Sequence, residues 1–429
     1  MQNERKVLVS AILKAEKSGY SNIILNNVLK ESDLDQQKKA FVTAGFYGVL
    51  ERKIILDYVL NKYLKRPIKK APPYTAAVLR SGTYQILFME KVPDSAAVNE
   101  SVKLIKKSKE QGNSGLVNAV LRKVVEDNSL NNINILSPDV KYSVENWIYN
   151  RLETDYGKEK TETFLENSLK APPVFVKLNT VISAEEKIIS AAERESVKLQ
   201  KTSLPGTYLV SGAANIENTE IFKSGLIYVQ DFSSSFCAAA VKAKPGMRVL
   251  DCCAAPGGKT FSIALNMEDT GEIIACDLHL HRVGLVEKGA ERLGLESIKT
   301  FVMNSTEYNK DLGLFDRVLC DVPCSGIGVI RRKPEIKYKN EAECNELPSL
   351  QLKILNNAKN YVKPGGRLIY STCTLLKAEN QEVINRFLSE NKDFFPAPID
   401  VMDVEESSFT LIPPEYPGDG FFVAAMERK

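Results

Sequence analysis

The spacing of apolar residues divides the chain into three stretches of different rhythm. Through residue 130 the rhythm is helical. Val9, Ile12 and Leu13, then Val42, Phe46, Val49 and Leu50, then Ile54, Ile55, Tyr58 and Val59 recur at the spacing of one helix face. Lys70-Ala71-Pro72-Pro73 and Val92-Pro93-Asp94-Ser95 break the run as turns, and Ser95 is placed to cap a helix through Val98, Val102 and Ile105. Another helix is predicted over Gly115–Val125. Residues 126–146 are polar, with Asn128, Asn131, Asn132 and Asn134, and read as a linker.

From about 146 to 230 the pattern is mixed. Trp147–Leu169 predicts a helix and Val174–Asn179 a strand. Ser183–Ala192 predicts a second helix, with Ser183 and Glu186 spaced as a capping box. Tyr208–Val210 and Ile227–Val229 predict short strands. From about 231, strand-length apolar runs alternate with helical stretches. The strands are expected at Arg248–Asp251, Glu272–Asp277, Thr300–Met303, Arg317–Asp321, Arg367–Ser371 and Phe421–Ala425. That alternation is the sign of a doubly wound α/β sheet with crossover helices. The expected organisation is an all-α domain over 1–135, a small α+β unit over 146–230 and an α/β domain over 231–429.

Composition narrows the setting. The chain of 429 residues is 44% hydrophobic, without a run long enough to span a membrane or a signal-type apolar core at its start, so a cytoplasmic protein is expected. All eight cysteines lie between Cys237 and Cys373, unlike a secreted disulfide scaffold. With His279 and His281 as the two histidines and no Cys-x-x-Cys pair, no metal site is expected. The net charge of +3 hides an asymmetry. Residues 1–140 carry 22 Lys and Arg against 14 Asp and Glu, a net +8, and the remainder is −5. The excess clusters at Lys62, Lys65, Arg66, Lys69, Lys70 and at Lys103, Lys106, Lys107, Lys109, which points to a polyanion partner, although a solvated helix face carries such runs too.

The candidate chemistry lies in the α/β stretch. Asp251-Cys252-Cys253-Ala254-Ala255-Pro256-Gly257-Gly258-Lys259-Thr260 reads as strand, Gly-rich turn and helix start, where amides and the helix dipole favour a ligand. A P-loop needs glycine where Cys253 stands, and a dinucleotide fingerprint needs glycines more widely spaced than Gly257-Gly258. Asp277 ends the next strand and is placed to accept from ribose hydroxyls. A Gly-rich loop with a ribose acid but no phosphate cradle suits S-adenosylmethionine. Two cysteines, Cys324 in Asp321-Val322-Pro323-Cys324-Ser325-Gly326 and Cys373 in Ser371-Thr372-Cys373-Thr374, each follow a strand, at the sheet end where ligands bind. A lone buried strand cysteine is usually an inert small hydrophobe, but two flanked this way suggest thiolate catalysis.

These three segments, with Gly328-Val329-Ile330-Arg331-Arg332-Lys333-Pro334-Glu335 and Gly418-Asp419-Gly420-Phe421-Phe422, resemble the motifs of RNA (cytosine-C5)-methyltransferases. Leu79-Arg80-Ser81-Gly82-Thr83-Tyr84-Gln85-Ile86-Leu87, Ala97-Val98-Asn99-Glu100-Ser101-Val102 and Gly115-Leu116-Val117-Asn118-Ala119-Val120-Leu121-Arg122 resemble the NusB-like domain of the RsmB (Sun, Fmu) branch. The resemblance implies a NusB-like helical RNA-binding domain, an RRM-like unit and a Rossmann-like S-adenosylmethionine-dependent catalytic domain. It implies methylation of C5 of a cytosine in 16S ribosomal RNA, in an unassembled or partly assembled small subunit, by a monomer with no membrane partner.

C5 of cytosine is too weak a nucleophile to take a sulfonium methyl until a thiolate adds at C6. Both cysteines are candidates for that addition. The resemblance implies that Cys373 attacks and that Cys324 helps release the product. Asp321 is expected at the cytosine N3/N4 edge, protonated or sharing a proton there. Lys259 is expected to orient Asp321 or bind phosphate. The resemblance further places Cys253, Ala254, Ala255, Pro256, Gly257, Gly258, Lys259, Asp277, Arg282, Asn304 and Asp321 around the cofactor, and Arg331, Arg332 and Lys333 on RNA phosphates. Asn304 stands where the family often has Asp near the adenine, and Thr374 where Ser is common; altered cofactor affinity is expected from the former. The target base must be flipped or single-stranded to reach both thiols. An amino-methyltransferase of the Asn/Asp-Pro-Pro-aromatic type fits less well, because Val322 and Cys324 replace its first proline and its aromatic. A ribosome-assembly factor with an inactive methyltransferase fold is the non-enzymatic alternative.

Overall fold

The helical rhythm of the first stretch forms seven α-helices among the described residues: Glu4–Ser18, Ser21–Lys30, Gln36–Glu51, Lys53–Asn61, Pro73–Phe88, Asp94–Lys106 and Ser114–Val125. The computed structural model describes residues 3–18, 21–127, 130, 133, 135–212 and 215–429. The four asparagines of the expected linker lie outside the described residues. Val9, Ile12, Val42, Phe46, Val49 and Val59 are buried in one apolar cluster, as their spacing predicts. Ser95 is not a cap. The helix already begins at Asp94, Pro93 holds the cap position, and its carbonyl accepts from the Ala96 and Ala97 amides. The predicted helix over Trp147–Leu169 is two, Asn146–Tyr156 and Lys158–Asn167, broken where Gly157 takes φ 79°.

The chain forms two compact units. One contains the chain through Lys170 together with Ile330–Lys339; the other contains Ala171–Val329 and Asn340–Lys429. Within the first unit the returning segment is held by polar contacts. Tyr338 Oη donates to the Leu50 carbonyl at 2.5 Å and accepts from the Lys53 amide at 3.0 Å. Trp147 Nε1 donates to the Lys339 carbonyl at 2.9 Å, and Ser21 Oγ to Glu335 at 2.7 Å. Lys337 is fully buried, and burial lowers its pKa to about 7.

The second unit has two sheets. The smaller is antiparallel, built from β1 (Val174–Leu178), β2 (Lys198–Lys201), β3 (Thr207–Ser211) and β4 (Ile227–Val229) in the order β2-β3-β1-β4. The helix Glu185–Arg194 starts after Ala184 with no side-chain cap, so Ser183 and Glu186 form no capping box. The polar β2 went unread because its residues, Lys198-Leu199-Gln200-Lys201, are mostly exposed on this edge strand.

The larger sheet contains β5 (Arg248–Asp251), β6 (Glu272–Asp277), β7 (Ile298–Val302), β8 (Phe315–Asp321), β9 (Val362–Thr372), β10 (Phe394–Pro396), β11 (Ser408–Leu411) and β12 (Phe421–Arg428). Its order is β10-β12-β9-β8-β5-β6-β7, with β11 also on β12. β5 to β9 pair in parallel, while β10, β11 and β12 make an antiparallel edge. Consecutive residues feed opposite faces. Val249, Ile273, Leu319 and Ile369 enter one apolar cluster, and Leu250, Ile274, Val318 and Leu368 another. Covering both faces explains the near-continuous apolar runs. The chain leaves β5 toward β6 and β7, then returns to β8 on the other side. The strand order therefore reverses between β5 and β8, where an open α/β sheet forms its binding crevice.

Candidate active site

β8 and β9 run parallel with Asp321 opposite Ser371. That register lets Ser371 Oγ donate to Asp321 Oδ1 at 2.8 Å. The Val322 amide still donates to the Ser371 carbonyl at 3.1 Å; Pro323, having no N–H, ends the ladder. The chain then turns so that Cys324 Sγ lies 3.2 Å from Cys373 Sγ. Both are partly exposed, whereas Cys237, Cys252, Cys276, Cys320 and Cys344 are buried. Gly328 locks the turn to the end of β9. Its amide donates to the Cys373 carbonyl at 3.0 Å, and a Cβ there would lie 2.0 Å from the Gly420 carbonyl oxygen. Only glycine fits so close an approach.

Lys259 reaches this point from the first turn of the helix Gly258–Asn266. Its Nζ donates to Asp321 Oδ2 at 2.7 Å and lies 4.9 Å from the Phe421 ring centroid. Burial works against the ammonium, but the charge of Asp321 and its hydrogen bond prevail and hold the Lys259 pKa above its ordinary value. Lys259 is thus ion-paired with Asp321. Asp321 accepts on both oxygens, from Lys259 Nζ and from Ser371 Oγ.

The two thiols form one hydrogen-bonded pair in which either sulfur can be the donor. The hydrogen bond to Cys373 comes first, then burial, then the charge of Cys373, and together they raise the Cys324 pKa well above the ordinary thiol value.

On the other side of the reversal point lies the Gly-rich loop. Gly257 takes φ 109°, and a Cβ there would lie 2.4 Å from Phe261 Cζ. Asp251 fixes the loop from beneath: Thr260 Oγ1 donates to its Oδ2 at 2.7 Å, and the Cys253 amide to its Oδ1 at 3.4 Å. Burial raises the Asp251 pKa to about 7. Arg282 bridges the loop to Asp277, with Nη2 2.8 Å from the Ala255 carbonyl oxygen and Nη1 3.2 Å from Asp277 Oδ2. Asp277 is 3% exposed. Asn304 follows β7 as expected, but its Oδ1 already accepts from the Thr306 amide and hydroxyl, and its Nδ2 donates to Glu307. Helix-start amides at Gly258 and carboxylates at Asp277 and Asp321 make a donor set that fits a phosphate-free, ribose-bearing zwitterion.

The structure brings Cys324 beside Cys373, and Lys259 onto Asp321, at the ends of β8 and β9. The sequence did not show Ser371 as the partner of Asp321, although strand register could have, nor Asp251 as the buried anchor of the loop. Arg331, Arg332 and Lys333 fall in the segment belonging to the helical unit, where Arg331 Nε donates to the Lys170 carbonyl at 3.0 Å.

Known proteins match this architecture along its length. Residues 238–427 match the family model described as 16S rRNA methyltransferase RsmB/F, and residues 2–126 match the NusB family. A probable ribosomal RNA small subunit methyltransferase B of Bacillus subtilis (strain 168) is 34% identical over 99% of this chain and 98% of its own length. The Synechocystis sp. (strain ATCC 27184 / PCC 6803 / Kazusa) protein of the same description is 32% identical over 96% of each. The crystal structure of PH0851 superposes with a TM-score of 0.86 at 26% identity, over 100% of this chain and 99% of that one. The chain belongs to the 16S rRNA methyltransferase RsmB/F family and is an rRNA methyltransferase that uses S-adenosylmethionine.

Proposed function

We propose that this enzyme methylates C5 of a cytosine in 16S ribosomal RNA through a covalent bond between Cys373 and C6. The observation that carries the reading is the 3.2 Å pair of thiols at neighbouring strand ends, beside an Asp321 held by Lys259 and Ser371. The Cys373 thiolate adds to C6, and the C5–C6 π electrons make C5 nucleophilic. When bound, S-adenosylmethionine supplies an electrophilic methyl to that carbon. Cys324 donates its S–H to the departing Cys373 sulfur as the Cys373–C6 bond breaks, and the Cys324 thiolate so formed takes the C5 proton, so that the C5–C6 double bond returns and both cysteines end as thiols. Asp321 accepts from the exocyclic amine at N4 and fixes the base; the ammonium of Lys259 offsets its charge.

Gly257, Gly258 and the loop from Cys253 to Pro256 would receive the cofactor. Asp277, steadied by Arg282, would take the ribose, and Asn304 would lie near the adenine. The basic helical domain over 1–135, the RRM-like unit over 146–230 and Arg331, Arg332 and Lys333 would each contact RNA, and the catalytic domain would span 231–429. A methyl-labelled S-adenosylmethionine assay on unmethylated 16S transcript, followed by bisulfite mapping, tests the reading. One protected cytosine per transcript is expected. Label without a bisulfite-resistant cytosine would refute C5 as the acceptor.

A further inference from the structure

A buried polar cluster adjoins the two reactive sulfurs, and the chemistry above makes no use of it. Glu379 closes a single turn of 3-10 helix, Lys377–Glu379, and is 1% exposed. Its Oε2 accepts from the Ser325 amide at 2.9 Å and from Gln351 Nε2 at 2.8 Å. The same Gln351 nitrogen donates to the Pro323 carbonyl at 3.0 Å. One carboxylate and one amide thus hold the backbone on both sides of Cys324. Tyr370 Oη donates to the Glu379 carbonyl at 2.5 Å. The hydroxyls of Ser325 and Thr374 meet at 2.7 Å, which ties the residue after Cys324 to the residue after Cys373. Gln351, Ser325, Tyr370 and Thr374 are all 0% exposed.

A carboxylate taken out of water is costly unless its hydrogen bonds repay the loss. Packing alone would be served by a neutral residue at 379. Those two donors to Glu379 are the ones that fix where Cys324 stands. We infer that Glu379, with Gln351 and the Ser325–Thr374 bridge, is a positioning cluster that sets the Cys324–Cys373 approach and hence the release step. The inference rests on the release role given to Cys324 above. The charge of Glu379 acts in the same direction, after that of Cys373, by helping Cys324 keep its proton.

The test uses the full chain, 16S transcript and labelled S-adenosylmethionine. Glu379→Gln keeps the side-chain volume but removes the charge and puts an N–H donor in place of one acceptor oxygen. It should lower kcat about tenfold or more while KM for S-adenosylmethionine stays within about twofold, because only alignment at the reacting sulfurs is lost. A retarded protein–RNA band should grow on a denaturing gel, as release fails after attack. Ser325→Ala, which removes only the hydroxyl bridge, should show the same split with a smaller loss and carries the test if Glu379→Gln does not fold. Native turnover and no added band in the folded variants would overturn the inference alone. So would a lower kcat without a band. Native protein that forms neither adduct nor 5-methylcytosine would overturn the proposed function as well.

Discussion

Two pairs of cysteines join neighbouring strands in this enzyme, and they differ in exposure. Cys252, after β5, hydrogen-bonds Cys320 in β8; the two are 1% and 0% exposed. That hydrogen bond, and then burial, push the Cys252 pKa well above the ordinary thiol value, and no cation stands against either effect. Cys324 and Cys373 also face each other across two strands, but in the turns beyond β8 and β9. There they are partly exposed and stand beside the Lys259–Asp321 ion pair. Residue type, pairing and parent sheet are shared. What differs is exposure and charge: the second pair is open to solvent, and Lys259 supplies a positive field there.

The comparison fails if the pairs respond alike. Cys373→Ala should lower methyl transfer by roughly 10⁴-fold or more, the scale seen when a covalent nucleophile is removed; residual activity above about a tenth of native would end its role. Asp321→Asn should cost about 10²-fold in kcat, since the base loses a charge-assisted acceptor, while thermal stability stays near native. Cys324→Ala should slow turnover and leave a retarded protein–RNA band. Cys320→Ala should do neither. It should lower stability by about 1 kcal/mol through lost packing, read by denaturant unfolding, with kcat intact. The smallest effect concerns Asp251, beside the buried pair. Its folded pKa is raised to about 7 from an ordinary value near 4, so the native state binds an extra proton between those values. Stability contributed by that proton is complete below about pH 4 and is lost as the pH rises through 7. Asp251→Asn should therefore gain in melting temperature, relative to native, on going from pH 5 to pH 8; a pH-independent difference would remove the buried acid from the account.

The elements legible in the sequence were those whose burial repeats. Both faces of β5, β6, β8 and β9 are covered, so their apolar runs are unmistakable. β2 and β10 were missed because short, largely exposed edge strands carry no such run. Gly157 broke a helix whose apolar rhythm continues on either side of it. In the site, the motifs led to Cys324, Cys373 and Asp321, which stand at or just beyond the ends of β8 and β9, and to Lys259 in the first turn of the helix after β5. Glu379 and Gln351 were invisible. Their role depends on the helix Leu347–Ala358 and the turn Lys377–Glu379 meeting around Ser325, and no local spacing encodes that. The order of the two thiols came from the family resemblance of their motifs, because in their mutual hydrogen bond either sulfur can donate.

The division of labour between Cys373 and Cys324 is tested most directly by isolating the covalent complex. Cys324→Ala protein is incubated with 16S transcript and S-adenosylmethionine, denatured, digested with nuclease and protease, and its peptides are weighed. The account predicts a methylated cytidine nucleotide attached to the peptide bearing Cys373. A nucleotide attached to the Cys324 peptide in Cys373→Ala protein, or no adduct in either variant while methylation proceeds, would contradict it.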